Sequence, residues 1–477
     1  MQYADDVLLS QYQAKADAMK SAVLNASGMN PAAVRGTVYY VRADGDDAAD
    51  GLTPSTAFRS LERVKNLVLK DGDAVLFRRG DLFRGNSWEV PDGVAVSAWG
   101  EGAKPTLCGS SQNYADPALW IQTEHPGIWK CTVPQENVGL ITFDHDPKTT
   151  GKYDVLCGWL VTPAVDLPPP PDVPGPVHSL YVFPDPPPLQ LKNDLEFWTD
   201  DKAKTLYLRS GRNPGERFHD IEIAPGKHGI LVRDKRDITL DNLHITLFGR
   251  HGISGWGNVN FEVKNCVLDY IGGSVLWEQC PFNPAWKFVR FGNAVEVLAS
   301  CDGVRVHDNW IYQIYDTGIT HQSNDTRYDV RMRNVEYWNN LVEYCYWSIE
   351  YYNCRNKSNI TENIHVHDNF CRFGGDGWGC RLRKHITPMY AVSFDADETR
   401  NYVTENNIFQ FSRGYIVRVG GRKHDPSGFL FRHNTYIQYE DGWFSWILDD
   451  RTPAAGCEKQ MRDMFREEDP RLFLVKK

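Results

Sequence analysis

A short segment repeats along the second half of the chain, and this repeat constrains the fold more than any other feature. Each copy alternates apolar and polar residues and ends in asparagine; the terminal residues are Asn309, Asn340, Asn369, Asn407 and Asn434, with weaker copies ending at Asn242 and Asn265. The copies recur every 23 to 44 residues. Such a period is typical of a solenoid, in which each repeat packs only on its neighbours.

The repeat predicts that residues 37–450 form an all-β solenoid, a right-handed parallel β-helix. The short strands of each coil pair with those of the coils above and below, about 4.8 Å away. A corner between strands favours a residue that tolerates left-handed backbone geometry, as asparagine does. Stacked asparagine side chains also hydrogen-bond from coil to coil. We therefore predict that the repeated asparagines are structural.

The N-terminal residues 1–36 are predicted to contain a capping helix. Residues 5–26 carry apolar side chains on one helical stripe, namely Leu8, Tyr12, Ala16, Met19 and Val23. An open solenoid exposes the apolar end of its first coil. We therefore expect this helix to lie across that end.

Three further segments depart from the repeat. Residues 163–190 are rich in proline, which predicts a stiff surface insertion. The segments Glu196–Trp198 and Thr205–Leu208 flank a turn and predict a β-hairpin. Residues 451–477 are expected to form a C-terminal tail or cap.

Composition and charge exclude some classes of binding partner. The net charge of −10 argues against a nucleic-acid or anionic-membrane partner, and no apolar run approaches the roughly 18 residues of a membrane span. The eleven cysteines show no CxxC pair and no zinc-ligand spacing, which predicts buried thiols in a reducing compartment. Asp5 and Asp6 lie where a secretory signal would be basic. These features favour a bacterial cytoplasmic location; homo-oligomerisation stays open.

The strands that follow the asparagine corners can be stacked in register. Period-two alternation turns Val295, Ile319, Ile349 and Val392 inward. It turns Glu296, Thr320, Glu350 and Ser393 outward, followed by a second outer row of Leu298, Gln322, Tyr352 and Asp395. A shift of one residue in the last strand would turn Arg418 outward as well. One face thus gathers Glu, Gln, Tyr and Asp, which marks a candidate site.

Three carboxylates are the candidate catalytic residues: Glu296, Asp316 and Glu350. Glu296 and Glu350 are expected two strands apart, with backbones roughly 10 Å from each other. Carboxyls that lean together reach the separation of about 6.5–9.5 Å that suits inverting hydrolysis, or less. Because nearby carboxylates repel, at least one pKa should rise, which gives the acid and base of glycosidic cleavage. Asp316 can alternatively serve only as a turn cap, as Asp441 can.

A larger set of residues is expected to line a groove over this face and bind substrate: His321, Gln322, Tyr352, Asp376, Arg381, Asp395, Arg418, Trp378 and Trp443. For His321 an inward, hydrogen-bonded core position is favoured over a role as base. The two tryptophans either stack on sugar faces or pack inside the coils. We expect no organic cofactor and assign no metal ligands.

Several segments resemble known carbohydrate-active proteins. The opening of the solenoid resembles the N-terminal coils of many β-helix proteins of this class, in Tyr39–Asp47, Asp50–Pro54 and Gly72–Asp81. Three site segments are similar to glycoside hydrolase family 141: Gly292–Glu296, Tyr315–Gln322 and Trp347–Glu350. The likeness covers most of residues 37–450 and implies a retaining or inverting glycosidase acting on plant or host glycans, with fucosidase and xylanase activities known for the group. It implies acid/base and nucleophile roles for the three carboxylates, without assigning them individually.

Two alternatives remain. A polysaccharide lyase or epimerase needs a basic proton abstractor and neutralisation of a uronate, for which Arg381, Arg383, Lys384, Arg418 or Ca²⁺ held by the aspartates at 44–50 would serve. A non-catalytic glycan-binding β-helix would use the same groove without turnover. The proline-rich insertion and the missing signal peptide depart from the family pattern and put an extracellular polymer substrate in doubt.

Overall fold

The chain folds as the predicted right-handed parallel β-helix, built from three long sheets. The computed structural model describes residues 2–85, 87–134, 136–161, 190–279, 287–323, 329–353, 358–383, 388–393, 398–420, 426–447, 450–463 and 466–476. Strands are numbered in chain order. Each complete coil visits sheet I, then sheet II, then sheet III, and each strand pairs in parallel with its equivalent in the next coil.

The three sheets have the following members in spatial order. Sheet I contains β2 (Val38–Val41), β3 (Ala74–Arg78), β6 (Ala95–Trp99), β17 (Arg236–Asp241), β20 (Val259–Lys264), β25 (Cys301–His307), β28 (Arg331–Trp338), β31 (Ile360–His367), β34 (Glu398–Glu405) and β37 (Phe429–Arg432). Sheet II contains β4 (Leu82–Arg84), β7 (Thr106–Cys108), β18 (His244–Thr246), β21 (Val267–Ile271), β26 (Trp310–Ile314), β29 (Leu341–Glu343), β32 (Phe370–Gly374), β35 (Ile408–Ser412), β38 (Thr435–Tyr439), β41 (Arg471–Val475) and β1 (Gln2–Tyr3). Sheet III contains β5 (Trp88–Glu89), β16 (Ile230–Arg233), β19 (Ile253–Trp256), β24 (Val295–Leu298), β27 (Thr317–Ser323), β30 (Trp347–Asn353), β33 (Pro388–Ser393), β36 (Tyr415–Gly420), β39 (Trp443–Ile447) and β40 (Asp450–Pro453), the last antiparallel.

Smaller elements decorate this solenoid. An excursion between β7 and β16 contains β8 (Ile121–Gln122), β9 (Ile128–Thr132), β10 (Leu140–Phe143), β11 (Leu156–Cys157), β12 (Trp159–Leu160), β13 (Glu196–Asp200), β14 (Thr205–Arg209) and β15 (Ile221–Ala224). Strands β22 (Val275–Gln279) and β23 (Lys287–Arg290) form an antiparallel pair between β21 and β24. The α-helices are α1 (Asp6–Asn25), α2 (Leu61–Lys65), α3 (Pro214–Arg217), α4 (Trp378–Arg383) and α5 (Glu458–Asp463).

A ladder of asparagine amides runs through the buried corner between sheets I and II. The side-chain amide of Asn309 donates to Asn340 Oδ1 at 3.0 Å, and that of Asn340 donates to Asn369 Oδ1 at 2.9 Å. Asn407 and Asn434 continue the ladder at 3.0 Å. All five side chains are buried. The predicted structural role of these residues is therefore confirmed.

The left-handed residue of each corner is not the ladder asparagine but the residue before it. Positive φ angles occur at Asp308, Asn339, Asp368, Asn406 and His433. The two weaker sequence copies, Asn242 and Asn265, belong to this left-handed column, because the backbone N–H of Cys266 donates to Asn309 Oδ1. The expectation that the ladder asparagines themselves adopt left-handed geometry is therefore wrong by one position.

Helix α1 does not cover the first coil as the sequence suggested. Its predicted apolar stripe is buried at Ala16, Met19 and Val23, but it packs on the outer face of sheet II. Gln13 accepts a hydrogen bond from Arg372 of β32, and Lys20 lies 3.3 Å from Glu343 of β29. The helix therefore runs along the stack as a strap, and its amphipathic pattern alone did not specify which apolar surface it meets.

Other segments close the two ends of the solenoid. At the first coil, Leu61 and Val64 of α2 join the core beside Phe83. At the last coil, Cys457 and Met461 join the same core. The predicted C-terminal cap therefore also contains a true coil strand, since β41 pairs in parallel with β38.

The remaining segment predictions have mixed outcomes. Strands β13 and β14 form the predicted hairpin. The proline-rich insertion at 163–190 lies outside the described residues except for Gln190. Eight of the described cysteines are buried, namely Cys108, Cys131, Cys266, Cys301, Cys345, Cys371, Cys380 and Cys457. Within the described part of the chain, no helix has the length and apolar character needed to cross a membrane.

Replacement of Asn340 by alanine should destabilise the solenoid. The Asn340 side chain accepts from Asn309 and donates to the Val306 carbonyl at 2.8 Å, so its loss leaves buried polar groups without partners. We expect a loss of about 1–3 kcal/mol in the free energy of unfolding, measured by denaturant titration. The control is Asn363→Gly, which removes an exposed amide bond to Asn334 and tolerates the left-handed backbone. An equal shift in both variants would contradict a stabilising role for the buried ladder.

Candidate functional site

The outer face of sheet III carries a column of mostly polar side chains, which we call the acidic wall. Strand pairing aligns Ser254, Glu296, Thr320, Glu350, Ala391 and Arg418 on successive strands. The predicted alignment of Glu296, Thr320 and Glu350 is therefore confirmed, as is the outward turn of Arg418. Ser393 was predicted next to Glu350, but β33 is displaced by two residues and places Ala391 there. Val392 is buried as predicted, yet it faces Tyr351 instead of Ile349.

Glu350 is the most strongly perturbed carboxyl of the wall. Its side chain is only 8% exposed, and the hydroxyls of Thr317 and Thr320 donate to its Oε2 at 3.2 and 3.3 Å. Burial, and then the negative charge of Asp316, raise the pKa of Glu350 to about 8, against the opposing effects of the two hydroxyls and Arg418. Glu350 is therefore mainly protonated at neutral pH, and Oε1 can carry the proton.

Glu296 is held by a hydrogen-bond chain that also fixes the tautomer of His251. His251 Nε2 lies 2.9 Å from Glu296 Oε2, and the Ser254 hydroxyl donates to the same oxygen at 3.3 Å. The backbone N–H of Asn293 donates to His251 Nδ1 at 3.0 Å. Neutral His251 therefore carries its proton on Nε2 and donates it to Glu296. Both contacts use Oε2, which leaves Oε1 for a ligand.

Asp316 lies at the corner immediately before β27. Its backbone N–H donates to the Gly292 carbonyl, and its carbonyl accepts from the Trp347 N–H, both at 3.1 Å. Its side chain is half-buried, and its charge acts on Glu350. The three carboxylates predicted from the sequence thus lie on one surface.

Two arginines flank the pair of glutamates. Arg418 lies beyond Ala391 on the Glu350 side, where burial lowers the pKa of its guanidinium. Arg250 precedes β19 on the Glu296 side, and its buried Nε makes no hydrogen bond within the described residues. Burial and the neighbouring Arg233 also lower the pKa of Arg250. Arg418 therefore places positive charge near Glu350, and Arg250 lies in the same coil as His251.

A second outer column lies one row beyond the acidic wall. It aligns Trp256, Leu298, Gln322 and Tyr352, as predicted for the last three. Trp256 is 36% exposed, so part of its ring is available to a ligand. An exposed indole beside carboxylates is suited to stacking on the apolar face of a sugar.

Two of the predicted groove residues lie in the interior instead. His321 is fully buried, with its ring 4.9 Å from that of Tyr351, and burial lowers its pKa to about 3. The favoured core interpretation of His321 is thus correct. Trp378 is also buried. Its indole N–H donates to the Gln313 carbonyl at 2.8 Å, and its ring packs on Tyr315. Neither ring is available to a sugar.

The other predicted groove residues lie at the margins or cannot be placed. Trp443 is half-buried on β39, with its ring 6.0 Å from that of Tyr415. Asp376 is exposed in the turn before α4. Asp395 and the side chain of Arg381 lie outside the described residues.

Sequence reasoning missed the coil that precedes Glu296. His251, Ser254 and Trp256 come from β19 and the corner before it. The signal was present, because alternation in Ile253–Trp256 turns Ser254 and Trp256 outward when β19 is stacked on β24. His251 precedes Ile253 by two positions, as Thr317 precedes Ile319.

The described residues of the acidic wall form no cluster of metal ligands. The aspartates at 44–50, considered above for Ca²⁺, make local contacts: Asp44 pairs with Arg78 at 2.9 Å, and Asp47 accepts hydrogen bonds from Ser60. Within the described residues, one group has the composition of a metal site, namely Glu336, His365 and His367 on sheet I.

Glu350→Gln should alter how stability depends on pH. The unfolded chain releases the Glu350 proton near the ordinary glutamate pKa of 4.5, whereas the folded protein holds it until about pH 8. Wild-type stability therefore falls as pH rises through this window, and the amide variant lacks that loss. We expect the variant to gain stability relative to wild type across the window, measured by denaturant midpoints. The control, Glu362→Gln, removes an ion pair with Arg333 on sheet I and should lack this gain; a flat profile for Glu350→Gln would contradict the raised pKa.

Comparisons with known proteins give the following similarities. No protein-family model and no curated protein matches the sequence. Similar solved structures include one described as a glycoside hydrolase, at 11% identity and TM-score 0.49, covering 92% of this chain and 96% of that chain. A complex of XylC with xylose has 13% identity and TM-score 0.47, covering 86% and 68%, and a rhamnogalacturonan lyase has 10% identity and TM-score 0.38, covering 84% and 74%. The resemblance to glycoside hydrolase family 141 therefore stays a prediction.

Proposed function

We propose that this protein is a glycoside hydrolase that cleaves an oligosaccharide of plant or host origin, with Glu350 as the general acid. The observation that carries the proposal is the environment of Glu350, which is buried and protonated at neutral pH on the same wall as hydrogen-bonded Glu296. A protonated carboxyl beside a second carboxyl is the pair that glycosidic cleavage requires.

The chemistry follows from the free oxygens of the two glutamates. Glu350 Oε1–H would protonate the glycosidic oxygen as the bond to the anomeric carbon breaks. Glu296 Oε1 would either attack the anomeric carbon or remove a proton from the attacking water. The backbones lie roughly 10 Å apart across two strand spacings, and this separation allows both the inverting and the retaining arrangement of carboxyls.

The surrounding residues would act on these two carboxyls. Thr317 and Thr320 hold Glu350 Oε2, which orients its proton-bearing oxygen. Burial, and then the charge of Asp316, keep Glu350 protonated and would oppose the release of its proton until the leaving group accepts it. His251 and Ser254 orient Glu296. This reaction uses no organic cofactor.

Variants of the two glutamates should separate acid catalysis from attack. The substrates are xylosides and fucosides with either alkyl or dinitrophenyl leaving groups, because those two sugars are implied by the family-141 resemblance. Glu350→Gln should lower kcat/KM by about 10²–10⁴-fold on alkyl glycosides but much less on dinitrophenyl glycosides, whose leaving group needs no proton. Glu296→Gln should lose turnover on both.

The matched control is Glu362→Gln, the same chemical change on sheet I, which should retain wild-type turnover. Equal losses for Glu350→Gln with both leaving groups would remove Glu350 as the acid. Retention of full activity in Glu350→Gln and Glu296→Gln would overturn the proposed site as a whole.

Trp256 should contribute to binding of the oligosaccharide. In the inactive Glu350→Gln background, Trp256→Ala is expected to weaken oligosaccharide binding by about 2–10-fold, the usual worth of one stacked ring. Calorimetry measures this change without interference from turnover. Trp159→Ala, at an exposed tryptophan of β12 in the excursion, is the control and should bind as the parent does. Equal weakening in both would argue against a specific sugar platform.

The flanking arginines favour one alternative, a lyase acting on a uronate-containing glycan. Arg250 and Arg418 lie at the two ends of the wall, and a cation can neutralise a uronate carboxylate before proton abstraction. A lyase would release an unsaturated product that absorbs ultraviolet light, whereas a hydrolase would release a reducing end without that absorbance. Incubation with polyuronates and with neutral oligosaccharides therefore distinguishes the two reactions.

A further inference from the structure

A cluster of two histidines and a glutamate lies on the outer face of sheet I, separate from the acidic wall on sheet III. His365 and His367 alternate on β31 and thus share a face, and Glu336 lies opposite His365 on the neighbouring strand β28. One ligand atom from each of the three lies within 4.8 Å of the other two. All three side chains are partly exposed, so an ion can reach them from solvent.

The atomic separations fit one small cation. Glu336 Oε1 lies 3.1 Å from His367 Nε2 and 3.8 Å from His365 Nδ1. A zinc ion sits about 2.0–2.1 Å from imidazole nitrogens and carboxylate oxygens. Both separations are shorter than twice that distance, and the two histidine nitrogens lie within 4.8 Å of each other, so a small movement of the side chains lets one ion contact all three groups.

The outward nitrogens of both histidines are already bonded to carboxylates. His365 Nε2 lies 2.7 Å from Glu405 Oε1, and His367 Nδ1 lies 2.7 Å from Asp368 Oδ2. A carboxylate on the far nitrogen fixes the tautomer of a metal-binding histidine and raises its basicity. In the neutral rings, the protons then lie on the outward nitrogens, and the two lone pairs converge beside Glu336.

We propose that Glu336, His365 and His367 bind a divalent transition-metal ion such as Zn²⁺, with water in the remaining position. Two imidazoles and one carboxylate suit Zn²⁺ and related metals better than Ca²⁺ or Mg²⁺, which prefer oxygen ligands. The ion would join the coils of β28 and β31, and it would stabilise the folded chain because the unfolded chain lacks the assembled site. This proposal is independent of the proposed hydrolase activity.

The preceding coils supply a natural control with one histidine. His307 of β25 lies 2.5 Å from Asp308 and 3.5 Å from Glu262 of β20. The residue two positions before it is Arg305, which contacts Glu262 at 3.2 Å. The Arg305 side chain thus occupies the position equivalent to His365. His307 has carboxylate contacts like those of His367 but no second imidazole beside it, so we expect it to bind no metal.

The test is titration of the metal-free full-length protein with Zn²⁺ by calorimetry and with Co²⁺ by visible absorption. We expect one equivalent to bind, and loss of that binding in His365→Gln and in His367→Gln. Glu405→Gln removes only the outer carboxylate and should weaken affinity about 10–100-fold. His307→Gln should bind as wild type, and the circular-dichroism spectra of all variants should match.

Three results would overturn the proposal. The first is absence of stoichiometric Zn²⁺ binding to the wild-type protein, in which case protonated histidines paired with Glu336 account for the cluster. The second is unchanged binding in both histidine variants, which would locate the ion elsewhere. The third is equal loss in His307→Gln, which would show that the loss of binding is not specific to the cluster of Glu336, His365 and His367.

Discussion

The register of parallel pairing between coils is the constraint on which the site depends. Because side chains alternate along a strand, a slip of one residue would turn Glu296 or Glu350 from the outer face into the core. Two features oppose such a slip: the amide ladder, in which Asn340 bonds to both neighbouring coils, and the apolar column of Val295, Ile319 and Ile349 behind the wall. The asparagine ladder between sheets I and II and the acidic wall on sheet III therefore depend on the same register between coils.

The repeat made much of this architecture predictable, and its failures have physical causes. Period-two alternation aligned Glu296 with Glu350 because each follows a buried apolar residue, Val295 or Ile349, that marks the inward position of its strand. It misaligned β33, since the longer connection between β32 and β33 contains α4 and carries no register information. His251 and Trp256 were missed because the stacking of outer strands began at Val295 and did not extend back to β19. Helix α1 was misplaced because an apolar stripe indicates burial without identifying the surface that buries it.

Burial explains why the wall is more than a row of polar residues on a solenoid. A carboxyl on an ordinary outer strand would be hydrated and ionised, whereas Glu350 is enclosed by its neighbours and remains protonated to about pH 8. Burial raises the pKa of Glu350 most, and the negative charge of Asp316 raises it further, so neither alone accounts for the raised pKa. Sequence indicated that several acids would be close, but the extent of their enclosure depends on side chains from three coils and required the structure.

The two proposed sites use the same strand geometry at two spacings. On sheet III, Glu296 and Glu350 are separated by one intervening strand, so their backbones lie roughly 10 Å apart. On sheet I, Glu336 and His365 are on adjacent strands about 4.8 Å apart, a distance that a single ion can bridge but a sugar cannot enter. The proposed substrate site and the proposed ion site therefore differ in the number of strands that separate their polar residues.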